Sequence, residues 1–251
     1  MAVAVTLAGA APAGAGVLSD TIKGVKPGVV GVGSYQHTRR PPALLLGTGF
    51  VVGDGLHVVT STQVLAEEVN ANGMAFVTVF VGVGNSVERR RTELVAEDPD
   101  HGISILRIAG PPLPALTLGR DDAVEEGQAV AFTGFPRGVF MGLNPATHRG
   151  IVSALTTITA PTHSPRRREV RTIMRLRAPY RVFQLDALAY PGNSGSPLYD
   201  PETGAVYGVV SSASARQSRR NPPADPSGIT YAVPIRYVHG LLKEMGLLDT
   251  F

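Results

Sequence analysis

Apolar and polar positions along this chain alternate in short runs, each closed by Gly, Pro, Asp or Asn. Val29 to Ser34, Phe76 to Val81, Ile103 to Ile108, Gln128 to Thr133, Gly150 to Ala154, Val182 to Leu185, Val206 to Val210 and Gly228 to Ile235 each read as a strand. Leu44 to Val52 and Leu56 to Ser61 flank Gly53-Asp54-Gly55 and predict a hairpin. Tyr35 to Pro42 reads as a basic loop, and Pro111 to Pro114 as a linker between two halves. Val170 to Leu176 is expected to be an extended edge segment. The period lengthens near the end, where Tyr237, Val238, Leu241, Leu242 and Met245 stand at helical spacing before Gly246. The pattern predicts an all-β protein with one C-terminal α-helix.

Composition narrows the picture. A chain of 251 residues holds one or two compact domains, and 29 glycines with 20 prolines suit a strand-and-turn architecture. With no cysteine, a thiol nucleophile and a disulfide framework are both excluded. The histidines are scattered without metal-ligand spacing, so neither a metal nor any other cofactor is expected. No run is long enough to cross a membrane as a helix. Residues 1–16 resemble the apolar core and small-residue cleavage end of a secretory signal, without its basic leader. Export, periplasmic or secreted, is the expectation, with a cytoplasmic location as the alternative. The net charge of +3 is modest, but the arginines fall in runs.

The candidate chemistry lies in Ala189 to Leu198, where Gly192 and Gly195 bracket Asn193 and Ser194. Such a turn lifts a serine hydroxyl clear of the backbone and aims the N–H groups of Gly192 and Ser194 at one point. Ser194 is thus the candidate nucleophile, and Gly192, Asn193 and Ser194 form the candidate oxyanion loop. Gly192-Asn193-Ser194-Gly195-Ser196-Pro197 resembles the nucleophile loop of trypsin/chymotrypsin-fold serine proteases. With Gln184-Leu185-Asp186-Ala187 ahead of it, the stretch is most similar to the HtrA/Deg branch. Gly47-Thr48-Gly49-Phe50, Gly127 to Pro136, Gly150-Ile151-Val152-Ser153 and Gly228 to Pro234 match further family segments in order. The resemblance covers roughly residues 25 to 246. It implies two antiparallel six-stranded β-barrels, at 25–118 and 119–251, after a flexible or signal-like tail over 1–24, and the chain as given carries no PDZ domain.

The same alignment exposes two departures. In the family, a Val-Thr-x-x-His-Val stretch carries the catalytic histidine; here it reads Val59-Thr60-Ser61-Thr62-Gln63-Val64, so Gln63 stands in the histidine slot. The family's Asp-Pro-x-x-Asp stretch carries the orienting aspartate; here Asp98-Pro99-Asp100-His101-Gly102 puts Gly102 in that slot. A slipped register that brings in Asp100 or His101 instead requires a bulge in a well-matched strand. A glutamine amide does not titrate near neutral pH and cannot take a serine's proton. Ser194 then has two readings: a surviving nucleophile, or a residue kept because the turn needs small residues and a local hydrogen-bonding side chain.

The resemblance also implies a specificity pocket at Leu188, Val209 and Ser211, with Leu188 at its base. It further implies that two arginine-rich loops, with Arg166, Arg167 and Arg168 on one and Arg219 and Arg220 on the other, border the substrate channel. More often such runs are solvated loops, although a basic rim attracts acidic partners. The absence of interleaved aromatics argues against nucleic acid. The favoured expectation is a pseudoprotease that binds peptide or protein at the former cleft. An active endopeptidase using Ser194 with His101 or a partner-supplied base is the alternative, and an anion-binding scaffold acting through the arginine loops the third reading.

Overall fold

A computed structural model describes residues 15–69, 76–84, 86–136, 143–158, 179–211 and 230–248. Strands β1 (Val29–Tyr35), β2 (Ala43–Val52), β3 (His57–Ser61), β4 (Phe76–Val83), β5 (Ser86–Asp98) and β6 (Ile103–Ile108) close into one antiparallel barrel in the order β1-β2-β3-β6-β5-β4. Strands β7 (Ala129–Gly134), β8 (Ala146–Ile158), β9 (Tyr180–Asp186), β10 (Pro197–Tyr199), β11 (Val206–Ser211) and β12 (Thr230–Pro234) close into a second in the order β10-β11-β12-β9-β8-β7. Closure leaves neither barrel with an edge strand among the described residues.

The alternation seen in the sequence becomes inside and outside. Val30, Val32, Val51, Val58, Val79 and Leu106 fill the first barrel, and Phe132, Val152, Phe183, Leu185, Leu198 and Val210 fill the second. A third cluster crosses the seam, joining Phe50, Val52 and Ile105 of one barrel to Phe135, Tyr199, Val209 and Ile235 of the other. Each wholly buried aliphatic or aromatic side chain contributes about 1.5–3 kcal/mol, whereas an exposed pair such as Lys23–Asp20 contributes about 0–1 kcal/mol. Apolar burial therefore joins the barrels, and the site lies on their seam.

Three α-helices, α1 (Ala15–Val25), α2 (Thr62–Val69) and α3 (Arg236–Glu244), and a 3-10 turn over Lys26–Gly28 accompany the strands among the described residues. Part of the stretch expected to be tail is thus the helix α1. Its Val25 is buried in the seam cluster, and the Thr21 hydroxyl donates to the Glu202 carbonyl at 3.0 Å. Small Ala and Gly residues around it hide its period in the sequence. Helix α3 appears where the spacing predicts it, with Val238, Leu241 and Leu242 buried. Strand β5 runs through Arg89-Arg90-Arg91, which reads as a polar stretch in sequence. Pairing with β4 overrides local polarity there, and Arg90 is buried with a guanidinium N–H donated to the Pro111 carbonyl. The edge segment expected at Val170 to Leu176 lies outside the described residues.

Candidate active site

The loop from Pro191 to Ser196 joins β9 to β10, and two glycines shape it. Gly192 has φ +101° and Gly195 φ +87°, a region that side chains disfavour. Gly195 is also hemmed in: a Cβ there would stand 2.0 Å from the Thr48 carbonyl oxygen and 2.6 Å from Thr60 Oγ1. Within the loop, Asn193 N–H donates to the Tyr190 carbonyl and Ser196 N–H to the Asn193 carbonyl, both at 3.0 Å. Strand β11 anchors its far end, since Gly195 N–H donates to the Val210 carbonyl at 2.8 Å and Val210 N–H to the Ser196 carbonyl at 2.9 Å.

The first barrel reaches this loop through Thr48 on β2. Its N–H donates to the Ser194 carbonyl at 2.9 Å, and its hydroxyl donates to the Gly192 carbonyl at 2.8 Å. Ser194 itself is buried, 8% exposed. Of the three residues expected to form an oxyanion loop, Asn193 spends its N–H inside the turn. The Asn193 side chain is fully buried, and neither of its amide atoms has a hydrogen-bond partner.

Gln63 is the second residue of α2 and is half-buried. Its neighbour Val64 faces Gly47, where a Cβ would lie 2.4 Å from Val64 Cγ2 and 2.9 Å from the Ser194 carbonyl oxygen. Val64 and Ser194 therefore flank the same glycine. Gly102 lies in the β5–β6 turn at φ +72°, with open space where a Cβ would project. The Gly102 carbonyl accepts the N–H of Thr62, the first residue of α2, at 2.9 Å. The first turn of α2, which carries Gln63, thus meets Gly102 through Thr62 and approaches the Ser194 backbone through Val64.

Four of the histidines make contacts of their own. His101 Nδ1 lies 2.6 Å from Asp98 Oδ2, and its ring stacks on Tyr237 at 3.6 Å and meets Tyr180 edge-on at 4.8 Å. His57 is buried with Nδ1 2.7 Å from Asp54, and His239 Nε2 lies 3.1 Å from the Gly119 carbonyl. His148 on β8 stacks on Phe132 at 4.9 Å, and burial pushes its imidazole pKa below the ordinary value. His37 is exposed, and His163 lies outside the described residues. Among the described residues no cluster of His, Cys, Asp and Glu can hold a metal ion, and no helix is long and apolar enough to cross a membrane.

Leu188 is exposed at 39% in the segment before the loop, and Ser211 ends β11 opposite Tyr231. Val209, expected with them, packs into the seam core at 1% exposure. Arg166, Arg167, Arg168, Arg219 and Arg220 lie outside the described residues. Sequence reasoning missed Thr48; its only signal is its place inside Gly47-Thr48-Gly49 at the end of a hairpin strand.

Residues 47–209 match the model of the trypsin-like peptidase domain, a span that takes in Thr48, Gln63, Gly102 and Ser194. The chain belongs to the trypsin-like peptidase family. Among its HtrA/DegP-like relatives, a probable periplasmic serine endoprotease of Halomonas elongata is 28% identical over 191 residues, covering 76% of this chain and 33% of the relative. The magnetosome formation protease MamE of Paramagnetospirillum magneticum is 30% identical over 210 residues, covering 82% of this chain and 24% of the relative. This trypsin-like chain therefore spans about a third or less of these curated relatives. The solved HtrA-type protease AlgW with a decapeptide shares the fold at TM-score 0.63 and 20% identity, covering 91% of this chain and 67% of that one.

Proposed function

We propose that this HtrA-type member of the trypsin-like peptidase family is a pseudoprotease, binding peptide or protein in or beside the former cleft without cutting it. The observation that carries the reading is the pair of residues in the two matched slots: Gln63 on α2 in place of the base, and a left-handed Gly102 in place of its carboxylate partner. A serine hydroxyl without a base stays protonated and weakly nucleophilic. In well-studied serine proteases, losing the base costs on the order of a millionfold in rate, about 8 kcal/mol. Loss of the aspartate is consistent with loss of the histidine, because the carboxylate's task is to orient and stabilise an imidazole.

Further support comes from His101, the one histidine adjacent to the vacated slot, whose ring is committed to Asp98, Tyr237 and Tyr180. Peptide as the kind of ligand is inferred from AlgW, solved with a decapeptide, and export from the relatives named as periplasmic. Acidic segments are the preferred ligands in this proposal, because the arginine runs of the sequence favour them.

Labelling with a fluorescent fluorophosphonate tests the reading. The natural chain is expected to stay unlabelled, and Gln63→His with Gly102→Asp to gain labelling that Ser194→Ala then removes. Labelling of the natural chain that disappears in Ser194→Ala means an activated serine and defeats the proposal.

A further inference from the structure

The Ser194 loop belongs to the second barrel, yet its Gly192 and Ser194 carbonyls are both held by one residue of the first. Thr48 is fully buried, and all of its polar groups are in use. Its N–H donates to the Ser194 carbonyl at 2.9 Å, and its own carbonyl accepts the Thr60 hydroxyl at 2.7 Å. Its hydroxyl donates to the Gly192 carbonyl at 2.8 Å while accepting the Phe135 N–H at 2.9 Å. A hydroxyl is small and both donates and accepts at one atom, which this crowded spot requires.

Two of the loop's polar side chains do not share the task. Asn193 and Ser196 are fully buried, and Asn193 Oδ1, Asn193 Nδ2 and Ser196 Oγ have no partner. Gly134 marks how tightly these groups converge: a Cβ there would stand 2.0 Å from Ser196 Oγ, 2.8 Å from Thr48 Oγ1 and 2.9 Å from Asn193 Oδ1.

We propose that Thr48 is the positioning residue of the Ser194 loop, setting the orientation of the Gly192–Asn193 peptide from across the barrel seam. That peptide is one planar unit held at opposite ends: its carbonyl by the Thr48 hydroxyl, its N–H by the Tyr190 carbonyl. Removing the hydroxyl frees one end of the plane. Gly192, at φ +101°, then has alternative backbone conformations that no side chain forbids. The direction of the loop amides is in this way tied to the seating of one barrel on the other, whether or not the chain cuts peptides.

Amide hydrogen exchange followed by NMR on the full chain tests the role. Thr48→Val keeps the shape and loses the hydroxyl; Thr48→Ser keeps the hydroxyl. In Thr48→Val, exchange at Asn193 and Phe135 is expected to quicken at least tenfold while Val59 and Ile105 hold their rates, and Thr48→Ser is expected to stay within twofold of the natural chain. Unchanged exchange in Thr48→Val, or Thr48→Ser as fast as Thr48→Val, overturns the proposal. If Thr48→Val fails to fold, the natural chain decides: a slowly exchanging Thr48 hydroxyl proton close to the Phe135 amide proton is expected, and one exchanging freely with water overturns it.

Discussion

The imidazole of His101 lies flat on the ring of Tyr237, with centroids 3.6 Å apart and planes 18° from parallel. The contact fastens the β5–β6 turn to α3, and Asp98 holds the other side of the imidazole at 2.6 Å. A ring so held serves packing, and His101→Ala is expected to destabilise the fold without changing fluorophosphonate labelling. Such a pair is worth about 0.5–1.5 kcal/mol beyond burial. In a chain of this size that is a Tm lowered by roughly 1–6 °C. Labelling of the natural chain that is lost in His101→Ala would instead make His101 a base for Ser194.

Gly102 and Gly195 are expected to respond very differently to alanine. At Gly102 a Cβ meets nothing within 4 Å, so Gly102→Ala costs only the left-handed backbone, about 1–2 kcal/mol. At Gly195 the same backbone penalty is joined by contacts of 2.0 Å to the Thr48 carbonyl and 2.6 Å to Thr60 Oγ1. Urea unfolding should therefore show Gly195→Ala as much the more damaging change. Equal costs would mean that the loop moves aside freely.

Arg236 of α3 reaches the buried carboxylate of Asp121 at 2.6 Å, with Asp121 8% exposed and Arg236 45%. Contact with the carboxylate holds the Arg236 guanidinium pKa above its ordinary value. Arg236→Met strands the carboxylate, and the expected loss in urea unfolding is about 1–3 kcal/mol. Asp121→Asn with Arg236→Met should recover part of it. No recovery in the double variant would mean that the loss comes from packing of the arginine stem.

Burial holds the His148 imidazole below its ordinary pKa. The unfolded chain takes up that proton near pH 6.5, while the folded chain does so only at lower pH. His148 therefore leaves stability untouched above about pH 6.5, and lowers it as pH falls from there to the folded value. His148→Phe, which keeps a ring against Phe132, is expected to show a shallower loss of stability than the natural chain between pH 7.5 and 5. Parallel curves for the two proteins would assign the pH dependence to other groups.

Most of the fold was legible in the chain itself, because period-2 apolar runs between Gly, Pro, Asp and Asn can bury only one face and must pair. The β2–β3 hairpin and α3 stand where pattern and spacing put them. Helix α1 and the arginine-bearing part of β5 did not show, since small residues hide a helical face and strand pairing overrides local polarity.

The residues in the site slots were likewise written in the sequence: Ser194, Gln63 and Gly102 are single letters in matched stretches. What they meet was decided only in three dimensions. Thr48 lies 144 residues from Gly192, and His101 engages a tyrosine from the last helix. Local pattern fixes which face of a strand is buried, but contacts across the seam exist only once both barrels have closed and been pressed together by their shared apolar cluster.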